Sequence, residues 1–436
     1  MKKNYLLLLG ICLSSHFVHA QTSFASLEEI WHYADQHSVQ LQTATGDKLI
    51  AAYNVKQAYG AIIPTITANG GFTDNIKIQS TLIPATLFNP AAPPGTFTAV
   101  AFGTRFIYNG ALAAQMDLLN TQDWFNIKAA RLNNELATQH IAKTKSDLYT
   151  KLANAYYSYI LLEEAEKLSQ DNVKTTSIIY DLSNNKFKDG LISEVTVNTA
   201  LINKQKAAKN LEVAIQNKLV QLNNLKLLLN IRDSIAITEK MAEKTQSTEA
   251  PVFAEDPNVG VAYTQLKLSE NTWKSSKAAY APTLSAFYQY STQILGNNFL
   301  KFNNSNTTPQ QYWGLRLSVP IFSGNTRHYQ VQKNKTDLGN KQKLYDDARL
   351  QADINNENLL INYRSSLDAF MRAKKILTLY QRNDKHAAQQ LDEGIISLDD
   401  RLKVFSDLIT DQNEYLQNMS DYFIQDYNLQ IRQKQF

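Results

Sequence analysis

Cysteine, glycine and proline are all scarce in this sequence, whose 436 residues include 1 cysteine, 15 glycines and 10 prolines. The single cysteine, Cys12, lies in an N-terminal segment that we expect to be removed. A mature chain without a thiol excludes disulfide scaffolds, cysteine-zinc sites, iron–sulfur clusters and cysteine nucleophiles. Few glycines and prolines suit long helices better than an all-β domain, which needs many turns.

An excess of charge and the common catalytic motifs are also missing. The chain has 44 Lys and Arg against 40 Asp and Glu, and losing Lys2 and Lys3 would lower its net charge from +4 to +2. This balance argues against nucleic-acid binding. The histidines are scattered without metal-ligand spacing, and no GxSxG, P-loop or GxGxxG motif is present. We therefore expect no enzyme, no cofactor, no metal and no nucleic-acid partner.

The first 20 residues have the layout of a secretory signal peptide. A basic start is followed by a short apolar stretch and by Ala20, a small residue before a predicted cut at Gln21. A lipoprotein cut before Cys12 is an alternative, for which Ile11 is a poor preceding residue. No later stretch approaches the ~18 apolar residues of a membrane-spanning helix.

The remaining sequence is built from two similar halves. Residues 63–68 (IPTITA) resemble 281–286 (APTLSA), and residues 189–193 (DGLIS) resemble 393–397 (EGIIS). Matching segments in the same order indicate a tandem duplication. The predicted organisation is a signal peptide at 1–20, a first repeat at 21–231, an irregular connector at 232–257 and a second repeat at 258–436.

Each repeat is predicted to contain two long paired helices. Leu148, Leu152 and Ala155 step by four and three residues, and the same heptad step begins at Val197 and at Leu398. The predicted long helices cover 120–187, 194–230, 324–391 and 396–432. Heptads alone are equally typical of a soluble coiled-coil stalk.

Between its first helix and its long helices, each repeat contains two alternating segments. Apolar and polar residues alternate in them with period two, which is the pattern of a strand with one buried face. Pro64 and Pro282 open the first strand of each repeat. The predicted strands cover about 64–79, 98–112, 282–295 and 310–322. They form either a small soluble sheet packed on helices or part of a membrane barrel with lipid on one side and water on the other.

Three basic residues fall on the polar face of these segments: Lys77, Arg105 and Arg316. They either line a barrel lumen or pair with local acids, and both interpretations stay open. Four strands cannot close a spanning barrel, because such barrels use at least eight. Open strand edges cannot face lipid, because their backbone groups would lack partners. If these strands span a membrane, several chains must therefore share one barrel, and three chains would give twelve strands.

The ordered set of features resembles the TolC family of outer-membrane efflux proteins. It comprises a signal peptide, a duplicated helix–strand–strand–helix–helix order, strand-opening prolines, the block Pro-Ile-Phe-Ser-Gly at 320–324 and the two glycine turns. The resemblance implies a mainly α-helical homotrimer with an α-barrel and a shared 12-stranded transmembrane β-barrel. It also implies an outer-membrane location in a Gram-negative bacterium, contact with outer-membrane lipid, a periplasmic adaptor (membrane fusion protein) and an inner-membrane transporter. The alternatives are a non-conducting coiled-coil structural protein and an exported enzyme.

The resemblance further implies that the helix turns at Gly190 and Gly394 form the periplasmic entrance. Family members often carry an aspartate six residues after each turn glycine. The second repeat has this aspartate as Asp400, whereas the first repeat has Thr196 at the same place. Lys403 stands where a second acidic residue can occur. Asp400, with Asp399 beside it, is a candidate for a carboxylate ring in a trimer, although acids in a first helical turn are also ordinary. Leu391 and Ile396 replace two residues of a closing polar network known in some members, so that network is not carried over.

Overall fold

The computed structural model describes residues 22–239, 251–303 and 306–436, so the predicted signal peptide lies outside the described residues. Seven α-helices, two short 3-10 helices and eight strands lie in these ranges. The α-helices are α1 (Leu27–His37), α2 (Val39–Tyr59), α3 (Thr121–Lys188), α4 (Glu194–Leu229), α5 (Pro257–Ala278), α6 (Thr326–Asp392) and α7 (Leu398–Gln433). The strands are β1 (Thr22–Phe24), β2 (Thr65–Asp74), β3 (Ser80–Pro84), β4 (Phe97–Ala101), β5 (Phe106–Leu119), β6 (Ile235–Ile237), β7 (Thr283–Gly296) and β8 (Asn306–Ser318).

The chain divides into two compact units. Of the described residues, the first unit contains 22–48, 137–239, 251–263 and 344–436, and the second contains 49–136, 264–303 and 306–343. The first unit holds most of the long paired helices, and the second holds the four-stranded sheet and the helix ends that lead into it.

The core of the first unit is a heptad-patterned helix interface. Leu148, Leu152 and Tyr156 of α3 are fully buried, as are Phe405 and Met419 of α7 to within 1%. Residues three and four apart lie on the same face of a helix, so a heptad pattern of apolar residues buries one face of each helix. Aromatic rings strengthen the contact, as the stacked rings of Tyr157 and Phe423 lie 4.5 Å apart.

Helix α1 packs on the same core through Trp31. Its indole stacks on the ring of Tyr149 at 4.7 Å and donates a hydrogen bond from Nε1 to the Tyr149 carbonyl oxygen at 3.1 Å. The buried indole N–H thus has a partner, and burial of the aromatic surface fixes α1 on α3.

The predicted connector is not wholly irregular. Ile235–Ile237 forms β6, which pairs in parallel with β1. Ile235 and Ile237 lie two residues apart and are both buried in the core. An extended chain places residues at this spacing on the same face, so burial of both side chains favours a strand. Residues 240–250 of the connector lie outside the described part of the chain.

The second unit contains one antiparallel sheet in the order β2-β5-β7-β8. Pro64 and Pro282 each stand one residue before a strand, where a missing N–H breaks no ladder bond. Strand β5 carries an irregularity between Asp117 and Leu119. Among the described strands, β2 pairs only with β5 and β8 only with β7, so the sheet has two open edges.

The first predicted strand pair differs from the observed one. Alternation predicted strands over 64–79 and 98–112, whereas the chain leaves the ladder after Asp74 and re-enters it at Phe106. Gly103 has φ +138°, a conformation that few residues other than glycine adopt, and it lies in the short segment that leads from β4 back into the ladder at β5. Beyond this break, β3 and β4 form a separate two-stranded hairpin.

Asp411 provides a test of the core of the first unit. Its side chain on α7 is 7% exposed, and its Oδ2 atom accepts no hydrogen bond. Burial, with a smaller contribution from Glu414, raises the pKa of the Asp411 carboxyl. When the folded-state pKa of a carboxyl is raised, its contribution to stability is largest below its unfolded-state pKa, where the group is neutral in both states. That contribution is lost as the pH rises through the folded-state pKa, because a charged carboxylate is then buried. We expect Asp411→Asn to raise the thermal unfolding midpoint, more at pH 8 than at pH 4.

The matched control for this prediction is Asp407→Asn, which changes an exposed carboxylate on the same helix. It should leave the midpoint nearly unchanged. An Asp411→Asn variant that is less stable than the parent at both pH values would contradict the prediction, because it would mean that the carboxylate has a favourable partner.

Candidate functional site

The two long helix pairs end in turns of the same construction, which we call the first tip (189–197) and the second tip (393–401). Gly190 and Gly394 have φ of +71° and +72°, the left-handed region that favours glycine. In the first tip the Leu191 amide donates to the Lys186 carbonyl at 2.9 Å, and in the second the Ile395 amide donates to the Gln390 carbonyl at 2.8 Å. This arrangement satisfies the last carbonyl groups of each incoming helix.

A serine begins the outgoing helix at each tip. Ser193 Oγ accepts a hydrogen bond from the Thr196 amide at 3.2 Å, and Ser397 Oγ accepts one from the Asp400 amide at 3.1 Å. Only the second tip completes the reciprocal capping box, because the Asp400 carboxylate also accepts from the Ser397 amide at 3.2 Å. Thr196 is buried at the first tip, whereas Asp400 is exposed at the second.

Asp400 is held as a carboxylate by this cap. The Ser397 hydroxyl donates to Asp400 Oδ2 at 2.6 Å. This bond is the largest cause that lowers the pKa of Asp400, followed by the Ser397 amide bond, with a smaller effect of Lys403. The residue is therefore ionised at neutral pH and has a local structural role in addition to any role in a pore. Asp399 and Lys403 are exposed beside it.

The second tip also contains a buried ion pair that the sequence analysis missed. Arg401 is 3% exposed, and its two terminal nitrogens reach the two oxygens of Asp384 at 2.6 and 3.1 Å. Asp384 lies on α6 and Arg401 on α7, so the pair ties the two helices together. Bidentate pairs of this kind are strong and directional. The sequence shows only charged residues of both signs on either side of Gly394, which do not by themselves indicate that these two side chains meet.

The first tip has no such pair at the equivalent positions. With Gly190 and Gly394 taken as equivalent, Val197 stands for Arg401 and Tyr180 for Asp384. Val197 is buried, and Tyr180 packs against the core while Lys204 lies 4.9 Å from its ring centre. The two tips therefore share their backbone construction but differ in what holds their helices together.

The sheet has a mainly apolar face and a mainly polar face, on which Phe287, Ile107 and Leu295 are apolar exceptions. Ile66, Ala114, Tyr288 and Trp313 follow one another across the four strands on one face. On the other face Thr67, Ala113, Gln289 and Tyr312 do so, and the Tyr312 hydroxyl donates to Gln289 Oε1 at 2.7 Å. Most residues of the edge strands β2 and β8 are exposed on both faces. A sheet of this kind is suited to an apolar medium on one side and water on the other.

Of the three basic residues predicted for the polar face, one lies on that face and two lie outside the strands. Arg316 lies on strand β8 of that face, opposite Ser285. Lys77 and Arg105 lie in the segments that join the sheet to the β3–β4 hairpin, because the strands are interrupted there. Arg105 forms a bidentate pair with Asp74, with Nε 2.9 Å from Oδ1, which agrees with the alternative of a local acidic partner.

Within 22–239, 251–303 and 306–436, no group of three or more His, Cys, Asp or Glu side chains is placed to hold a metal ion. In the same ranges, no helix is both long and apolar enough to cross a bilayer.

This architecture of paired long helices with a four-stranded sheet is shared with known outer-membrane channels. The chain resembles the CmeC outer membrane channel of Campylobacter jejuni with a TM-score of 0.73 and 15% identity, covering 93% of this chain and 84% of that one. It resembles the outer membrane protein VceC of Vibrio cholerae with a TM-score of 0.69 and 14% identity, covering 93% and 94%. The fold is that of the TolC-family outer-membrane channels, which confirms the predicted protomer of long helices with a four-stranded sheet; the shared 12-stranded barrel stays a prediction.

A curated relative is similar in sequence as well. Toxin and drug export protein A of Aggregatibacter actinomycetemcomitans is 21% identical over 271 residues, which cover 59% of this chain. The chain spans 57% of the length of that relative. No protein-family model matches the sequence.

Proposed function

We propose that this chain is the protomer of a passive homotrimeric channel in the outer membrane of a Gram-negative bacterium, extending into the periplasm. It serves as the exit duct of a tripartite efflux or type I secretion system. The observation that carries the proposal is the four-stranded sheet with one apolar face, one polar face and two open edges. The fold shared with outer-membrane channels supports it.

The open edges support an assembly of several chains. β2 and β8 present unpaired N–H and C=O groups along 10 and 13 residues. Such groups are costly in lipid unless another strand pairs with them. Pairing β8 of one copy with β2 of the next satisfies both edges, and a closed ring of three copies gives a barrel of ordinary size.

Helix α4 carries an apolar surface that also fits this assembly. In the middle of the helix its buried residues are small and stand at heptad spacing, namely Ala200, Ala207 and Ala214. Larger apolar side chains on the same helix stay exposed in the single chain: Leu201, Ile202, Val213, Ile215, Leu219, Val220 and Leu227. Monomeric proteins rarely expose so much apolar surface, and a neighbouring copy would cover it.

The proposed partners are an inner-membrane transporter and a periplasmic adaptor. The sequence of this chain carries no nucleotide-binding motif, so an inner-membrane transporter supplies the energy and a periplasmic adaptor connects the two. The two tips form the periplasmic entrance that meets the adaptor. The name of the relative, a toxin and drug export protein, supports export as the role and is compatible with small molecules and with proteins as cargo.

The test is single-channel conductance of the purified chain in a planar lipid bilayer, together with its mass in detergent. We expect a trimer that gives discrete, long-lived conductance steps. A water-soluble protein that gives no steps would overturn the proposal in favour of a coiled-coil structural protein. A detergent-dependent trimer that is silent should conduct when the second tip is loosened, as described for Arg401 below, and continued silence would also count against a duct.

The proposed carboxylate ring at Asp400 makes a separate prediction. Asp400→Asn should reduce the preference of the channel for cations, because a ring of three carboxylates near the axis attracts cations and repels anions. An asparagine oxygen still accepts the Ser397 amide bond, so the helix cap is largely kept. Reversal potentials in a KCl gradient measure the preference.

Asp399→Asn is the matched control for this charge. Neighbouring residues on a helix point about 100° apart, so only one of the two carboxylates can face the axis closely. An unchanged reversal potential in Asp400→Asn, or an equal change in both variants, would contradict a ring formed by Asp400.

A further inference from the structure

The segment between β2 and β5 carries no charge over a long stretch. None of the residues from 78 to 104 is Asp, Glu, Lys, Arg or His, although Lys77 and Arg105 flank them directly. Ordinary water-exposed loops are polar and contain charged side chains, whereas this one contains apolar residues and prolines.

Within this segment, β3 and β4 form what we call the apolar hairpin (80–101). Leu82 pairs with Ala99 and Pro84 with Phe97, so these four side chains share one face of the two-stranded sheet. All four are exposed, Leu82 to 66% and Phe97 to 61%. The turn that joins the strands adds Leu87 and Phe88, which are exposed as well.

The opposite face of the apolar hairpin is different. It carries the pairs Thr81–Val100 and Ile83–Thr98, in which the two threonines are exposed and the two aliphatic side chains are half-buried. The hairpin therefore presents a mostly apolar face, on which Ser80, paired with Ala101, is the one polar residue of the two strands, and a mixed face. A two-stranded sheet is marginally stable in water by itself, so the apolar face requires a cover.

The position of the hairpin identifies that cover. It extends from the ends of β2 and β5 that lie away from the long helices, beside an aromatic cluster on the apolar face of the sheet. Phe72 lies 5.1 Å from Tyr108 and 5.7 Å from Phe299, and the Tyr108 hydroxyl accepts a hydrogen bond from the Leu300 amide at 2.9 Å. Aromatic residues concentrated at one end of an apolar sheet face mark a membrane–water boundary.

The backbone of the hairpin suits this boundary better than the hydrocarbon core. Its strand edges are open, which excludes the core, where every N–H needs a partner. Pro84, Pro90, Pro93 and Pro94 have no N–H, and the Ala85 amide donates to the Thr96 carbonyl at 2.9 Å, so the turn exposes few donors. Such a segment is tolerated where headgroups and water are within reach.

We propose that the apolar hairpin binds the surface of the outer leaflet, with Leu82 and Phe97 inserted at the boundary between headgroups and acyl chains beside the barrel. This inference rests on the proposed function, which places the sheet in the membrane. Apolar side chains of an amphipathic element bury at this depth with a favourable free energy proportional to the area removed from water. The hairpin would thus widen the contact of each protomer with lipid beyond the barrel itself.

The test uses single cysteines, because Cys12 is the only native one and Cys12→Ser removes it. Three variants in that background, Phe97→Cys, Thr98→Cys and Leu315→Cys, are labelled with an environment-sensitive fluorophore and reconstituted as trimers in phosphatidylcholine vesicles. Thr98 is the matched control, since it follows Phe97 on the opposite face of the hairpin. Leu315 lies on the apolar face of the sheet and reports on the barrel alone. Quenching is measured with a lipid spin-labelled near its headgroup and with iodide on both sides of the membrane.

We expect lipid-borne quenching of the label at 97 to be severalfold stronger than at 98, and iodide quenching to show the reverse order. A label at 97 that is quenched by iodide alone, or by neither quencher because a neighbouring copy covers it, would overturn the inference. Lipid quenching at 315 distinguishes a failure of the hairpin proposal from a failure of the barrel proposal. If it is present while 97 is not quenched by lipid, only the hairpin proposal fails; if it is absent, the barrel proposal fails and the hairpin proposal with it.

Discussion

Arg401→Met is expected to loosen the second tip, at a cost of at most about 3–5 kcal/mol in local stability, because it leaves the Asp384 carboxylate without its partner. The upper end is not reached, since the side chain of Asp384 keeps 17% exposure while that of Arg401 keeps 4%. Hydrogen exchange at the ends of α6 and α7 around Gly394 measures the effect. Amides there should exchange faster than in the parent, while those around Gly190 stay unchanged.

The functional consequence of this variant follows from the location of the pair. If the second tip narrows the entrance of the channel, loosening α7 from α6 should increase the conductance or the open time in a planar bilayer. The double variant Asp384→Leu with Arg401→Met should restore slow exchange, because an apolar pair can replace a buried ion pair at little cost. The first tip, where Val197 and Tyr180 occupy the equivalent positions, supports this expectation.

An exposed ion pair provides the control for Arg401. Lys174 and Asp171 lie 3.2 Å apart on α3 with side chains 73% and 63% exposed, and such pairs contribute about 0–1 kcal/mol. Lys174→Met should therefore leave exchange almost unchanged. Equal effects of Lys174→Met and Arg401→Met, or no change in exchange around Gly394, would contradict a structural role for the buried pair.

Leu112→Arg is expected to impair insertion of the chain into a bilayer. Leu112 lies near the middle of β5 on the apolar face, between Ala68 and Tyr290. A charged side chain facing lipid near the bilayer midplane costs about 2–4 kcal/mol in each copy. We expect a lower fraction of folded trimer in vesicles and a lower midpoint of unfolding in urea.

Gln289→Arg places the same charge at nearly the same depth on the polar face. Gln289 pairs with Ala113, the residue next to Leu112, and with Tyr312. Facing water, the new guanidinium should cost little and should shift ion selectivity instead. Equal losses in Leu112→Arg and Gln289→Arg would show that the two faces do not meet different media, and the barrel proposal would then fail.

The long helices were the most predictable elements. The sequence predicts 120–187 and 396–432, and the structure has Thr121–Lys188 and Leu398–Gln433. Heptad spacing repeats many times in such segments, and the turn glycines and capping serines are local signals at their ends. Each of these signals depends on a few neighbouring residues, so the amino-acid order alone carries it.

The strand pair of the first repeat was less predictable. Alternation of apolar residues continues through 98–108, but residues 98–101 belong to β4 of the apolar hairpin and the ladder resumes only at Phe106. Alternation indicates an extended chain without indicating which strand it pairs with. Lys77 and Arg105 were assigned to a strand face for this reason and lie outside the strands.

The sequence by itself determined the duplicated order of elements, the positions of both tips and the two-faced character of the sheet, because periodicity and capping act over short distances along the chain. Only the tertiary structure decided that Arg401 meets Asp384, that the Phe72 and Phe299 rings meet at one end of the sheet, and that both sheet edges stay open among the described strands. These features join residues far apart in sequence or depend on strand order. No local pattern encodes them, since they arise only when separate elements pack together.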